Sequence, residues 1–188
     1  PQIAAAWEGR DWSLLMQQAR SAGLLARALD GLAGPEEPEG RTSLPAGVQA
    51  HHEAAQRLCR AQAAEIHREV RYIAAALAEL KAPVVLLKGA AYVMAGLPAA
   101  NGRIFSDIDF MVPKSHLAQA EAMLMAHGWM TTHHSAYDQR YYRQWMHELP
   151  PMQHVARGTT IDVHHTILPE TARLHPPAHK LFEAAVPL

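Results

Sequence analysis

Two carboxylates one residue apart open an apolar stretch, Asp107-Ile108-Asp109-Phe110-Met111-Val112. Side chains two apart on a strand leave on the same face, so these two acids project together. Like charges that close repel one another, and a divalent cation between them removes the cost. An all-oxygen donor set with room for water and phosphate oxygens suits Mg²⁺ or Mn²⁺. Aspartate is scarce, six in the whole chain, which makes the pairing more informative. A third aspartate, Asp162, lies in Thr160-Ile161-Asp162-Val163-His164, where Ile161 and Val163 are expected to face the core. His164 then shares the face of Asp162, where it either hydrogen-bonds and orients that carboxylate or is simply a packed polar residue. Brought beside the first pair, Asp162 would complete a metal-binding triad. Each piece also has a plainer reading: Asp107 caps a turn beside a solvated Asp109, and Asp162 belongs to a hairpin strand whose polar face meets water.

The segment Leu86-Leu87-Lys88-Gly89-Ala90-Ala91 runs from an apolar strand pattern through glycine directly into a helical one. Such a turn aims free backbone N–H groups at an anion. Gly89 allows close approach, and Lys88 offers a point charge for a phosphate. Lysine is the rarer cation here, four against thirteen arginines. The plain alternative is an ordinary strand-to-helix turn with an exposed lysine.

The elements that would position these groups follow from periodicity. Trp7, Leu14, Leu15 and Ala19 recur at helical spacing up to Gly23, and Leu24 to Leu32 continue as a second short helix. Gly34 to Gly40 is a loop by composition. Ser43 offers an N-cap for a long helix reaching about Leu80, with Leu58, Ile66, Val70, Ile73, Leu77 and Leu80 as its apolar stripe. Val84 to Leu87 reads as a short strand buried on both faces, and Ala90 to Gly96 as a helix. Ile108 to Val112 is a strand, and Ser115 to Ala126 a helix stopped by Gly128. Trp129 to His133 is a further strand, and Gln153–Ala156 and Thr159–His164 form a hairpin around Arg157-Gly158. The tail from Pro169 is too proline-broken to assign. The expected fold class is α+β, a small mixed sheet with flanking helices. Its expected division is a helical N-terminal region, residues 1–80, before a core of residues 81–188.

Composition narrows the function classes. A hydrophobic fraction of 49% supports a packed core, and a net charge of -1 gives no footprint for nonspecific nucleic-acid binding. The single cysteine, Cys59, cannot form an internal disulfide, so no disulfide-linked partner and a reducing cytoplasmic setting are expected. No apolar run is long enough to span a bilayer, and the first residues lack a signal-peptide layout. The start at Pro1 without Met, and the end at Leu188 without a recognisable stop, lead to the expectation of a core cut short at its C-terminal end. The His133-His134 and His164-His165 pairs raise a zinc hydrolase, but no His-Glu-x-x-His or comparable spacing accompanies them. Trp7, Trp12, Tyr72, Trp129, Tyr141 and Tyr142 read as core or rim aromatics.

Taken in order, these pieces resemble the DNA polymerase beta-like nucleotidyltransferase superfamily. They are most similar to its bacterial branch of largely uncharacterised nucleotidyltransferase-family proteins. The resemblance rests on the turn Leu87-Lys88-Gly89 and on Arg103-Ile104-Phe105-Ser106-Asp107-Ile108-Asp109. The Gly128-Trp129 step and the strand Ile161-Asp162-Val163-His164 complete it. It is strong from Leu86 to His165 and weak before Lys81. The resemblance implies transfer of a nucleoside monophosphate from a nucleoside triphosphate, ATP among them, to an acceptor: a small molecule, a protein or an RNA. It implies Asp107, Asp109 and Asp162 as metal-holding catalytic carboxylates, with Asp162 either completing a second metal site or taking the acceptor's proton. Lys88, Gly89, Ser106 and Arg103 are implied as nucleotide contacts. Two departures stand out. The superfamily's usual turn is Gly-Ser or Gly-Gly, whereas Ala90 follows Gly89 here, and the stretch from Gly89 to Asp107 is longer than in compact members. These keep open a non-catalytic nucleotide-binding or regulatory module with the same fold. A helical interaction protein built on Leu44 to Leu80 is a third reading.

Overall fold

A computed structural model describes residues 7–33, 44–132, 135–169 and 171–187. The chain forms two compact units, Pro1–Glu65 with Leu97–Phe105, and Ile66–Gly96 with Ser106–Leu188. Ser43, the loop 34–40 and the pair His133-His134 lie outside the described residues.

The first unit is helical. Helix α1 (Gly9–Ser21) opens with a capping box, in which Glu8 and Asp11 satisfy each other's backbone N–H groups. Helix α2 (Leu25–Ala33) follows, and α3 (Ala46–Ala76) begins here and ends in the second unit. The core of the unit gathers Trp12, Ala19, Leu25, Ala26, Leu29, Leu44, Val48 and Ala55. Two members of the expected apolar stripes, Leu14 and Leu58, are exposed instead, and Trp12 takes the inward position on α1. The returning segment Leu97–Phe105 is pinned at several points. Gly102, at φ 65, has no room for a Cβ, which would sit 2.6 Å from the Arg27 backbone nitrogen. Phe105 N–H donates to Gln62 Oε1 at 2.9 Å, while the Gln62 amide donates back to the Phe105 carbonyl.

The second unit is built on a five-stranded mixed sheet. Its strands are β1 (Val85–Leu86), β2 (Ile108–Met111), β3 (Trp129–Thr131), β4 (Met152–His154) and β5 (Thr160–His164). Their order across the sheet is β1-β2-β5-β4-β3. Only β2 and β5 run parallel; the other three pairings are antiparallel. Strand β1 is therefore an edge, and Val84 beside it is 38% exposed, which corrects the expectation of a strand buried on both faces. Gly158 at φ 71 closes the expected hairpin between β4 and β5. Helices α4 (Lys88–Met94), α5 (Leu117–Ala126), α6 (Ala136–Trp145) and α7 (Ala178–Glu183) complete the unit. Ala120 and Leu124 of α5 are fully buried, as their spacing predicts. The expected α+β architecture is present, a small mixed sheet with flanking helices and a helical N-terminal region.

The last turns of α3 add Ile66 and Ile73, and the segment after it Leu77 and Leu80, to the core of this unit, together with one acid of α3, Glu69, which is fully buried. Arg157 from the hairpin turn meets it at 2.6 Å and is covered by the rings of Tyr72 and Trp129. A buried charge demands such a partner. Among the described residues no helix is long and apolar enough to cross a membrane.

Candidate active site

The site is set by strand register. In the parallel pair, Asp109 of β2 stands opposite Asp162 of β5, with Ile108 opposite Ile161 and Phe110 opposite Val163. Alternation then sorts the faces. Ile108, Phe110, Ile161 and Val163 are buried in the core, while Asp109, Asp162 and His164 share the other face. Asp107 immediately precedes β2 and joins them. One carboxylate oxygen from each of Asp107, Asp109 and Asp162 lies within 4.8 Å of the other two. The three carboxylates expected to converge do converge.

Lys88 is the first residue of α4 and adopts a left-handed backbone, φ 45, which a side-chain-bearing residue rarely takes. The Leu87 N–H before it donates to the Asp109 carbonyl at 2.9 Å, fixing the turn against β2. The Lys88 ammonium then reaches Asp109 Oδ1 at 2.5 Å. Gly89 and Ala90 are buried behind it. The Ala90 position thus faces the interior. Ser106 Oγ donates to Asp107 Oδ1 at 3.0 Å. Arg103 belongs to the first unit, where its guanidinium lies 5.1 Å from the centre of the Phe105 ring.

His164 is 1% exposed, and its Nε2 donates to Asp109 Oδ1 at 2.9 Å. The expected partner was Asp162; the parallel register brings the ring to Asp109 instead. Two residues that the sequence reading did not single out complete the neighbourhood. Glu148 pairs with His164 through an isolated antiparallel bridge, and Glu148 Oε2 lies 3.1 Å from His164 Nδ1. His147 precedes it, its ring centred 5.1 Å from that of His164. A faint signal existed: an acid beside Leu149-Pro150-Pro151, an extended segment entering a strand, is in a position to pair with that strand's neighbour.

The electrostatics differ sharply among the carboxylates. Burial alone would raise Asp109, but hydrogen bonds from His164 and Lys88 outweigh it and hold its carboxyl below the usual range. Partial burial pulls Lys88 down, yet the bond and charge of Asp109 prevail and raise it. Asp162 has no such hydrogen bonds, and the charge of His164 offsets only part of its burden. Burial, then the charges of Glu148, Asp107 and Asp109, push it up to about 6, and its Oδ1 is buried without a hydrogen-bond partner. Burial and the charges of Glu148 and Asp162 also raise the Tyr142 hydroxyl. Four acids thus press around one ammonium. A divalent cation fits this donor set: all three convergent ligands are oxygens, and one is an orphaned buried oxygen that a cation would satisfy.

The chain is an α+β protein whose mixed sheet gathers three carboxylates at two adjacent inner strands, an arrangement compatible with nucleotidyl transfer. The profile of the family described as uncharacterised nucleotidyltransferase matches residues 8–188, and the chain belongs to that family. Comparison with curated proteins and with solved structures found no match. Membership assigns a general nucleotidyltransferase function, with a nucleoside triphosphate as the substrate class.

Proposed function

We propose that the protein moves the nucleoside monophosphate group of a nucleoside triphosphate to an acceptor nucleophile, with Mg²⁺ or Mn²⁺ held by Asp107, Asp109 and Asp162. The acceptor atom bonds to the α-phosphorus, the bond to the bridging oxygen breaks, and pyrophosphate leaves. The observation that carries this reading is the pairing of Asp109 opposite Asp162, which draws three carboxylate oxygens within 4.8 Å. A bound cation supplies charge neutralisation and orients phosphate oxygens for in-line displacement.

The chain's own residues do the rest. Lys88 carries an ammonium on a side chain that is 61% exposed, able to swing from Asp109 to a phosphate oxygen once the carboxylate is otherwise neutralised. Gly89 and Ser106 are the accompanying phosphate contacts. Asp162, at about 6, is suited to accept the acceptor's proton near neutrality as well as to bind a cation. His164 keeps Asp109 ionised and fixed in orientation. The lone Cys59 is a free thiol and fits a reducing, cytoplasmic setting.

Calorimetric titration with Mg²⁺ and each nucleoside triphosphate tests the site, comparing the parent with the Asp107→Asn, Asp109→Asn double variant. Loss of Mg-nucleotide binding is expected; undiminished binding by the folded variant would refute the assignment. Incubation with α-labelled nucleotides and cell extract then reads turnover. Label on an acceptor supports the transferase, whereas binding without transfer identifies a nucleotide-responsive module.

A further inference from the structure

We propose that His147, Glu148 and His164 form a second divalent-cation site, suited to a borderline transition ion of the Zn²⁺ class and separate from the carboxylate triad. One donor atom from each residue lies within 4.8 Å of the other two. The set is two imidazoles and one carboxylate, which favours Zn²⁺-like ions, whereas the all-oxygen triad favours Mg²⁺.

The orientation of His164 carries the argument. Its Nε2 faces the Asp109 carboxylate at 2.9 Å, and an ionised carboxylate only accepts, so the proton sits on Nε2. Nδ1 lies on the other side of the ring. That atom is buried, has no hydrogen-bond partner, and lies 3.1 Å from Glu148 Oε2. A cation shared between Nδ1 and Glu148 Oε2 would be ligated by both atoms. A carboxylate behind a ligating imidazole is the usual way its tautomer is fixed and its basicity raised. Asp109 stands in that position.

His147 adds the third donor. Its Nε2 is 3.5 Å from the same Glu148 oxygen. Burial pushes the pKa of its ring down. The backbone holds the segment without help from an ion: Leu149 N–H donates to the Val163 carbonyl and His165 N–H to the His147 carbonyl, both at 2.9 Å. Three protein donors leave a position for water or a substrate atom.

The test uses the full chain stripped with chelator, in a background of Asp107→Asn and Asp162→Asn that disables the triad. Titration with Zn²⁺ by calorimetry, and with Co²⁺ by visible absorption, should show one equivalent bound. His147→Ala and Glu148→Gln, each checked for folding by circular dichroism, should weaken it by more than the roughly 10- to 100-fold that loss of an outer partner costs. Excess Mg²⁺ should not displace the ion. Binding unchanged in both variants, or no binding by the background protein, would overturn the site. Mg-nucleotide titration of the parent reports the triad separately, so either site can fail alone.

Discussion

Replacing Asp162 with Asn should make the metal-free protein more stable at pH 8, while abolishing its gain from added cation. Asp162 sits at about 6, against an ordinary value of 3.8, because burial and three neighbouring acids penalise its charge. An acid raised by folding is least harmful when protonated, so its penalty is absent below the unfolded value of 3.8 and complete above about 6. At about 1.4 kcal/mol per pKa unit the full penalty approaches 3 kcal/mol. Solvent screening of a half-buried group reduces it, leaving about 1–2 kcal/mol for Asn to recover. Urea denaturation with chelator present should therefore show a higher midpoint for the variant at pH 8, and nearly coincident midpoints at pH 4. Millimolar Mg²⁺ should reverse the order at pH 8, because only the parent gains stability from binding. A variant less stable than the parent at pH 8 in chelator would refute the reasoning. It would mean that Asp162 is held by favourable contacts and not strained by its neighbours.

The same titration governs cation affinity: Mn²⁺ should bind about tenfold more weakly for each pH unit below about 6, with about one proton released per ion, as read by calorimetry in buffers of different ionisation enthalpy. Lys88→Met should tighten binding of Mg²⁺ alone, since the ammonium at 2.5 Å competes for Asp109, yet weaken binding of the Mg-nucleotide. Parallel changes in both affinities would remove Lys88 from the phosphate role. Arg157→Ala should cost about 3–5 kcal/mol in urea denaturation by stranding the buried Glu69. The double variant Arg157→Met with Glu69→Leu should recover most of that loss.

Much of the second unit is legible from periodicity and turn chemistry. The strand after Asp107, the helix stopped at Gly128 and the hairpin around Gly158 each have a local cause that a single segment displays. Helix α6 does not. Its residues Ala136–Trp145 are polar and aromatic without an aliphatic stripe. What supports it is the Ser135 cap on the Asp138 N–H at 3.0 Å, together with stacking of Tyr137 on Tyr141 and Arg143 reaching Glu121 across to α5. The cap and the ring pair are local but not aliphatic, and the Arg143 contact is tertiary, so none of them shows as an apolar period. Exposure of Leu14, Leu58 and Val84 has a related origin, since an apolar pattern marks where burial is available and packing decides how much of it is used.

The aspartates were recognisable because two of them flank the first residue of a strand and the third is bracketed by core residues. What unites them is not in any one segment. A shift of β5 by one residue against β2 would replace Asp162 by a core aliphatic opposite Asp109 and turn the acid to the other face. The burial of Ile161 and Val163 prevents that slip, so the hydrophobic side of the strand enforces the chemistry on its polar side. The same register delivers His164 to Asp109, and through the bridge at Glu148 it brings in a fourth acid that no motif announced. Glu148 in turn is the largest of the charges raising Asp162, which makes the cation requirement of the triad depend on a residue outside it. The demand for positive charge is thus a property of the sheet face, and the Asp-x-Asp signature is only its most visible part.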